Sequence, residues 1–286
     1  MNKHKHPEIY HKHINKNNYF EGWYYKQVSA DSKHTISIIP GVSYDSQGAH
    51  SFIQCLYYNK QNGIEAHNVD YAIQDFKTIN SPFEVTIKDN HFSYDGINID
   101  INNKDLVIKG NIGFSDITPI QTNLVNPNIM GFFSYIPYME CNHGIISMNH
   151  RLSGSIEING NNVDFTGGKG YIEKDWGRSF PSNYIWVQSN HFNNPSVSLF
   201  CSIARIPFGL FSFTGVICNF IHNESEYRFA TYNGSKLTII EVSNQSFSIR
   251  LKNSIHTLLV KGSTELSKDL LAPKLGSMNT TIKEGL

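Results

Sequence analysis

The sequence predicts an all-β protein built from two antiparallel halves, each a barrel or a sandwich, with little helix. Short runs rich in β-branched and aromatic residues recur with a turn signal about every ten residues, which is typical of antiparallel barrels and sandwiches. Apolar residues seldom repeat at the spacing of an amphipathic helix. A proline-broken segment divides the runs into two series, so we expect two β-domains.

The chain opens with a polar segment, residues 1–18, which we expect to be a flexible tail because chain termini are usually mobile. The segment carries four histidines in H-x-H pairs: His4, His6, His11 and His13. A metal site is therefore an alternative, but the sequence favours the solvated tail.

Residues 19–114 are predicted to form the first β-domain. The domain starts with YFEGWYYKQV, in which strand alternation places Glu21, Trp23 and Tyr25 on one face. Turn sequences follow at residues 46–48 and 61–63, and the series of strands ends near Phe114.

Residues 115–143 are predicted to be a connector, because Pro119, Pro127 and Pro137 interrupt the strand rhythm. We expect its aromatic side chains to pack over an opening; they are Phe132, Phe133, Tyr135 and Tyr138. Residues 144–286 then hold about eight further strands, with a hairpin turn at N-G-N-N, residues 159–162, and are predicted to form the second β-domain.

Composition limits the classes of partner. Lys plus Arg and Asp plus Glu number 24 each, so no net field attracts nucleic acid or an anionic membrane. Four cysteines without close spacing indicate reduced thiols, as in a cytoplasmic protein; they are Cys55, Cys141, Cys201 and Cys218. No run approaches 18 apolar residues, so we expect no transmembrane segment.

The richest stretch chemically is GGKGYIEKDWGRSFPSNYIWVQ, residues 167–188. It combines Glu173, Lys174, Asp175 and Arg178 with five aromatic side chains. Charged groups among aromatic ones are costly unless they are paired or used. The stretch is therefore either a loop held by its own salt bridges or part of a ligand pocket, and its aromatic density favours the pocket.

This stretch also carries a resemblance. GYIEKDWGRSFPSNYIWVQ, residues 170–188, resembles the signature of the tocopherol cyclase family, and YFEGWYYKQV, residues 19–28, resembles the F-E-G-W-Y hallmark of the same family. Two motifs about 150 residues apart in the right order are more specific than either alone. Asp175 stands where the plant enzymes usually carry Asn, and Arg178 stands where a small residue is common. The resemblance implies that both halves are lipocalin-like.

The resemblance also implies a reaction: cofactor-independent, acid-catalysed cyclisation of a prenylated quinol or a related isoprenoid, with neither nucleotide nor metal. Such a reaction needs a carboxylic acid kept protonated by an apolar setting, aromatic faces for the cation and a dry cavity. The candidate acids are Asp175, slightly favoured, Glu173 and Glu21. The candidate substrate-binding residues are Trp23, Tyr25, Tyr171, Trp176, Arg178, Tyr184, Trp186 and Gln188.

The expected partner is a hydrophobic small molecule, without nucleic acid, and peripheral membrane contact is left open. The alternative function is a non-catalytic, lipocalin-type carrier of a lipophilic ligand. A protonatable carboxylate in the cavity would favour the enzyme, whereas carboxylates all paired with Arg or Lys, such as Arg178, would favour the carrier.

Two narrower expectations follow from the strand patterns. Trp23 and Trp186 are predicted to line one continuous cavity. His143 and His150 flank Ser147, but no Asp or Cys completes a triad or a metal set with them, so neither is assigned a role.

Overall fold

The structure is a computed structural model that describes residues 3–11, 18–46, 48–137, 139–208, 211–243, 245–263, 268–270 and 282–284. The described residues contain short 3-10 helices but no α-helix, and the remaining regular structure is antiparallel strand. This confirms the all-β, lipocalin-like prediction. None of the described helices is long and apolar enough to cross a membrane.

The first sheet contains twelve strands and holds most of the chain up to Gly177. Its strands are β1 Tyr19–Val28, β2 His34–Asp45, β3 Gly48–Asn59, β4 Gly63–Ala72, β5 Phe76–Asn80, β6 Phe83–Ile87, β7 Asn90–Ser93, β8 Gly96–Asn102, β9 Val107–Ser115, β10 Cys141–Ile158, β11 Asn161–Asp164 and β12 Lys169–Gly177. The order is β4-β3-β2-β1-β12-β10-β9-β8-β7-β6-β5, with β11 paired to β10.

This sheet curls around its own core. Its edge strands β4 and β5 are joined by a single turn of 3-10 helix, Ile73–Asp75, so the two edges come close without pairing among the described residues. The core inside receives side chains from almost every strand, including Trp23, Ile38, Ile99 and Ile172. The first predicted series of strands therefore forms a barrel-like layer that stays open at one seam.

The remaining strands form smaller sheets. Strands β13 Tyr184–Ser189, β14 Ser198–Phe208, β15 Phe211–His222 and β16 Ser225–Ala230 make a four-stranded sheet. Strands β17 Lys236–Val242, β18 Ser246–Lys252 and β19 Thr257–Ser263 make a three-stranded sheet, and β20 Lys268–Leu270 pairs with β21 Ile282–Glu284. Apolar residues of the four- and three-stranded sheets share one core, which contains Leu199, Cys218 and Leu251.

The sheets divide the chain at a different place from the predicted connector. Strands β10, β11 and β12 were expected in the second β-domain, yet β10 pairs with β9, and β12 pairs with β1. The break between sheets falls between Gly177 and Tyr184. The reason is that β10, with 18 residues, is long enough to pair with both β9 and β12 and so carries the first sheet past the connector.

The connector packs between the first and the four-stranded sheets. Ile120, Ile129 and Met130 join a core with residues of both sheets. Of the aromatic residues expected to cover an opening, Phe133 packs against this core and lines a cavity, whereas Phe132 and Tyr135 are each 44% exposed. Tyr138 lies outside the described residues.

The segment before β1 is packed rather than loosely held where the structure describes it. Ile9 is buried, and the backbone carbonyl of Glu8 accepts a hydrogen bond of 2.7 Å from the indole Nε1 of Trp23. The backbone N–H of His11 donates to the carboxylate of Glu21 at 2.9 Å. The expectation of a flexible tail is wrong for residues 7–11, because β1 offers them buried hydrogen-bond partners; His13 lies outside the described residues.

Candidate functional site

A cavity of about 1490 Å³ lies between the outer face of the first sheet and the four-stranded sheet. Both faces of β1 are mostly buried, because one faces the core of the first sheet and the other faces this cavity. The cavity walls come mainly from β1, β2, β3, β12, β13, β14 and β15; among the lining residues are Phe20, Gly22, Tyr24, Lys26, Glu173, Asp175, Tyr184, Trp186 and Gln188.

Strand alternation divides the charged residues of β12 between these two environments. Glu173 and Asp175 line the cavity, whereas Lys174, between them, is completely buried on the other side of the sheet. Gly22 of β1 is the register partner of Asp175 and also lines the cavity.

His143 of β10 joins the two carboxylates. It is the register partner of Asp175, and its Nδ1 lies 2.8 Å from Asp175 Oδ1. Its Nε2 lies 3.3 Å from Glu173 Oε2, which is ion-pair range, although the two atoms are not aligned as a hydrogen bond. The ring stacks on Phe200 at 4.8 Å between centroids. The imidazole is thus held between two carboxylates at the cavity wall.

Glu173 is surrounded by donors. The hydroxyl of Tyr171 donates to Oε2 at 2.5 Å, and the indole Nε1 of Trp186 donates to the same oxygen at 3.1 Å. Both donors stabilise negative charge on this carboxylate, and they hold it in place beside the ring of His143.

Electrostatics keep His143 charged at neutral pH. Burial lowers the pKa of its imidazole, but the charges of Asp175 and Glu173 and their hydrogen bonds outweigh this and raise the pKa to about 10. Burial, together with the same two carboxylates, raises the pKa of Tyr171 well above its usual value. His143 is therefore a charged imidazolium at the cavity wall, and an imidazolium is one of the groups that act as general acids.

The same three side chains contain ligand atoms that lie within 4.8 Å of one another, so a metal ion has to be considered. The two carboxylates flank different nitrogens of the imidazole. A single ion bound to one ring nitrogen would therefore not take both carboxylates as ligands in this arrangement.

The structure brings together only part of the set of residues chosen from the sequence. Glu173, Asp175, Tyr184, Trp186 and Gln188 line the cavity. Tyr171 is buried behind the wall and reaches the site through its hydrogen bond to Glu173.

Trp23 and Tyr25 lie on the opposite side of the first sheet from the cavity, in the core that the sheet encloses. Trp186 packs instead against the core between the sheets and lines the cavity. The prediction that Trp23 and Trp186 share one cavity is therefore wrong. Alternation assigned Trp23 and Tyr25 correctly to one face, but that face points away from the site.

Glu21 also lies on the far side of the sheet, where it forms a buried ion pair with Lys174. Its Oε2 is 2.5 Å from Lys174 Nζ, and both side chains are fully buried. The hydroxyl of Tyr19 donates to Oε1 of Glu21 at 2.8 Å. Trp176 belongs to the same region, since its ring stacks on that of His11 at 4.4 Å. These contacts make Glu21 and Trp176 parts of the packing beneath the N-terminal segment.

Arg178 does not neutralise the carboxylates of the site. Its side chain is exposed, and none of the ion pairs among the described residues involves it. Asp175 pairs with His143 instead. The partner of Asp175 is therefore His143, to which the sequence assigned no role, and not Arg178.

His143 was missed because its partners are distant in the sequence. Asp175 lies 32 positions further along the chain and meets His143 only through the register of β10 and β12. The one available signal was the histidine itself, in C-N-H-G at the end of an apparently irregular segment. In the structure, β10 already begins at Cys141, three residues before the predicted start.

Comparison with known proteins gives one family and several related folds. The family model described as tocopherol cyclase-like matches residues 102–284. A probable chloroplastic tocopherol cyclase of Oryza sativa subsp. japonica is 31% identical over 84 residues, which are 29% of this chain and 17% of that protein.

Two solved structures share the fold. CghA, solved with Sch210972, superimposes with a TM-score of 0.59 at 6% identity, over 90% of this chain and 79% of that one. Kievitone hydratase of Nectria haematococca superimposes with a TM-score of 0.50 at 11% identity, over 84% of this chain and 73% of that one. At these low sequence identities, the likeness shows a shared fold and nothing more.

Proposed function

Since the chain belongs to the tocopherol cyclase-like family, we propose that it catalyses an acid-catalysed, redox-neutral cyclisation of a prenylated quinol or a related hydrophobic isoprenoid. The observation that carries the proposal is the imidazole of His143, held between Asp175 and Glu173 at the wall of the cavity. The proton donor in this proposal is His143 rather than one of the three carboxylates considered from the sequence.

The proposed reaction has a simple balance. His143 transfers a proton to one carbon of an isoprenoid double bond, and a tertiary cation forms at the other carbon. The phenolic oxygen bonds to the cation, and its proton passes to Glu173 or back to His143. One C–H and one C–O bond form, while one C=C π bond and one O–H bond are lost, so substrate and product are isomers.

The surroundings suit the charges that develop. Asp175 holds the Nδ1 side of the ring, and Nε2, which is buried beside Glu173 and has no hydrogen-bond partner among the described residues, is the nitrogen that would transfer the proton. Tyr24 and Trp186 meet edge to face at 5.4 Å between ring centroids and line the cavity, where aromatic faces would stabilise a cation. The cavity lies between two sheets, and a bound substrate that filled it would keep out water, which would otherwise add to the cation.

Incubation of the purified protein with a prenylated hydroquinone in D₂O tests the proposal. We expect the product to be an isomer of the substrate that carries one deuterium on carbon. Mass spectrometry would detect this deuterium after exchangeable positions are washed with H₂O. His143→Gln should reduce turnover by at least 100-fold, which is the lower range of general acid catalysis. Asp175→Asn should also reduce it, because the neutral amide no longer holds the imidazolium.

His222→Gln is the matched control, since His222 is an exposed histidine of β15 outside the cavity wall. Turnover by His143→Gln at the rate of this control would refute the role of His143. Tight binding of the hydroquinone without any turnover by the wild type would instead establish the carrier function.

A further inference from the structure

The cavity has a second polar end, formed by Lys26 of β1 and Gln188 of β13. The ammonium of Lys26 donates to the side-chain oxygen of Gln188 at 3.1 Å, and both residues line the cavity. Because an ammonium group only donates, this contact fixes the amide of Gln188 with its oxygen towards Lys26. The amide nitrogen of Gln188, Nε2, then points away from Lys26.

That Nε2 has no hydrogen-bond partner among the described residues, although Gln188 is only 7% exposed. A buried N–H donor without a partner costs free energy, so native structures rarely leave one without a reason. A donor of this kind at a cavity wall, beside an ammonium, is suited to an acceptor oxygen of a bound molecule.

The charges nearby have the same sign as Lys26. Lys169 lies at the start of β12 and donates to the backbone carbonyl of Asn190 at 3.0 Å. Although His191 is exposed overall, desolvation of its ring and then the charges of Lys26 and Lys169 lower its pKa to about 4. This end of the cavity is therefore positive, whereas the end with Glu173 and Asp175 carries the two carboxylates.

The spacing between the two ends follows from the strand register. Tyr24 pairs with Glu173, and Lys26 pairs with Tyr171, which stands two residues before Glu173 in β12. On the facing strand, Trp186 contacts Glu173, and Gln188, two residues further on, contacts Lys26. Two residues of strand span about 7 Å, so Glu173 and the polar end are separated by about that distance along the wall.

From this arrangement we propose that Lys26 and Gln188 form a subsite for an anionic or strongly accepting oxygen of the substrate, such as a carboxylate, phenolate or sulfonate, about 7 Å along the wall from Glu173. The inference rests on the proposed function, since it names the kind of molecule that His143 would protonate. The substrate is then an amphipathic molecule, whose apolar part lies against the aromatic wall and whose oxygen faces Lys26.

Two fluorescent probes separate this subsite from simple apolar binding. 8-Anilinonaphthalene-1-sulfonate and N-phenyl-1-naphthylamine share their rings and differ by the sulfonate. We expect the wild type to bind both, and Lys26→Met to weaken binding of the sulfonate at least tenfold, equivalent to about 1.4 kcal/mol. Binding of the uncharged probe should change less than twofold. Gln188→Leu should show the same selectivity with a smaller loss.

Lys109→Met is the control for loss of one positive charge, since Lys109 is an exposed residue of β9 paired with Asp100. It should leave both affinities unchanged. Equal losses for both probes in Lys26→Met, or no loss for the sulfonate, would overturn the subsite, and so would a wild type that binds neither probe. Deuterium incorporation by the wild type reports on the proposed function separately, so the subsite can fail while the catalytic proposal stands, and the reverse.

Discussion

Replacement of Lys174 by methionine should destabilise the fold strongly. The Nζ of Lys174 lies 2.5 Å from Glu21 Oε2 and 2.9 Å from His11 Nδ1, and it also donates to the backbone carbonyl of Ile9. It sits 4.4 Å from the centroid of the Trp23 ring. Methionine keeps much of the volume but removes the charge and all of these hydrogen bonds.

The magnitude follows from the burial of the pair. Removal of one partner of a fully buried ion pair leaves the other charge uncompensated, which costs about 3–5 kcal/mol. Unfolding entropy of about 2.1 cal/mol/K per residue gives about 0.6 kcal/mol/K for 286 residues. We therefore expect the melting temperature to fall by about 5–8 °C, measured by circular dichroism at 215 nm or thereabouts.

A second variant distinguishes charge from packing. In Lys174→Met with Glu21→Gln, neither member of the pair is charged, and the glutamine oxygen still accepts from the backbone N–H of His11. This double variant should recover at least half of the lost stability. Lys109→Met, which breaks an exposed ion pair, should shift the melting temperature by less than about 2 °C. A single Lys174 variant as stable as this control would refute the reasoning.

Three further predictions concern titration and thiols. In a ¹⁵N NMR titration, His143 should stay protonated up to pH of about 10, because its carboxylates outweigh burial, whereas buried His150 should stay neutral down to about 3; a normal midpoint for either would contradict the assigned environment. Because the folded-state pKa of His143 is raised, the stabilisation that its charge provides is complete below the unfolded-state pKa near 6.5 and is lost as pH rises through about 10. Urea titrations should therefore show that the difference in unfolding free energy between wild type and His143→Gln declines between these two pH values. Thiol titration in denaturant without reductant should find four free cysteines, and a count of two or fewer would oppose the structure; they are Cys55, Cys141, Cys201 and Cys218.

Alternation in the sequence predicted which residues share a face, but it did not predict which face borders the cavity. Trp23 and Tyr25 were grouped correctly on one face. The pattern of β1 is apolar on both sides, because one side meets a core and the other meets the aromatic-lined cavity. Composition cannot distinguish these two environments, since both exclude water from similar side chains.

The charged site was partly predictable for a related reason. Glu173 and Asp175 stand two residues apart on a strand, so their common face could be read from the sequence. Their partner His143 comes from the neighbouring strand β10, and the partner of Lys174 is Glu21 of β1. Pairing between distant strands depends on register, which local patterns do not specify.

The place of β1 in the sheet has a consequence during synthesis. One side of β1 pairs with β2, which follows it directly, but the other side pairs with β12, about 140 residues later. At 5–20 residues per second, the ribosome needs roughly 7–28 s to make that distance. Through this interval the aromatic strand presents an unpaired edge, the kind of surface on which nascent chains aggregate. Yield in the cell should therefore depend on holdase chaperones and on the rate at which the middle of the chain is translated far more than the stability of the finished fold would indicate.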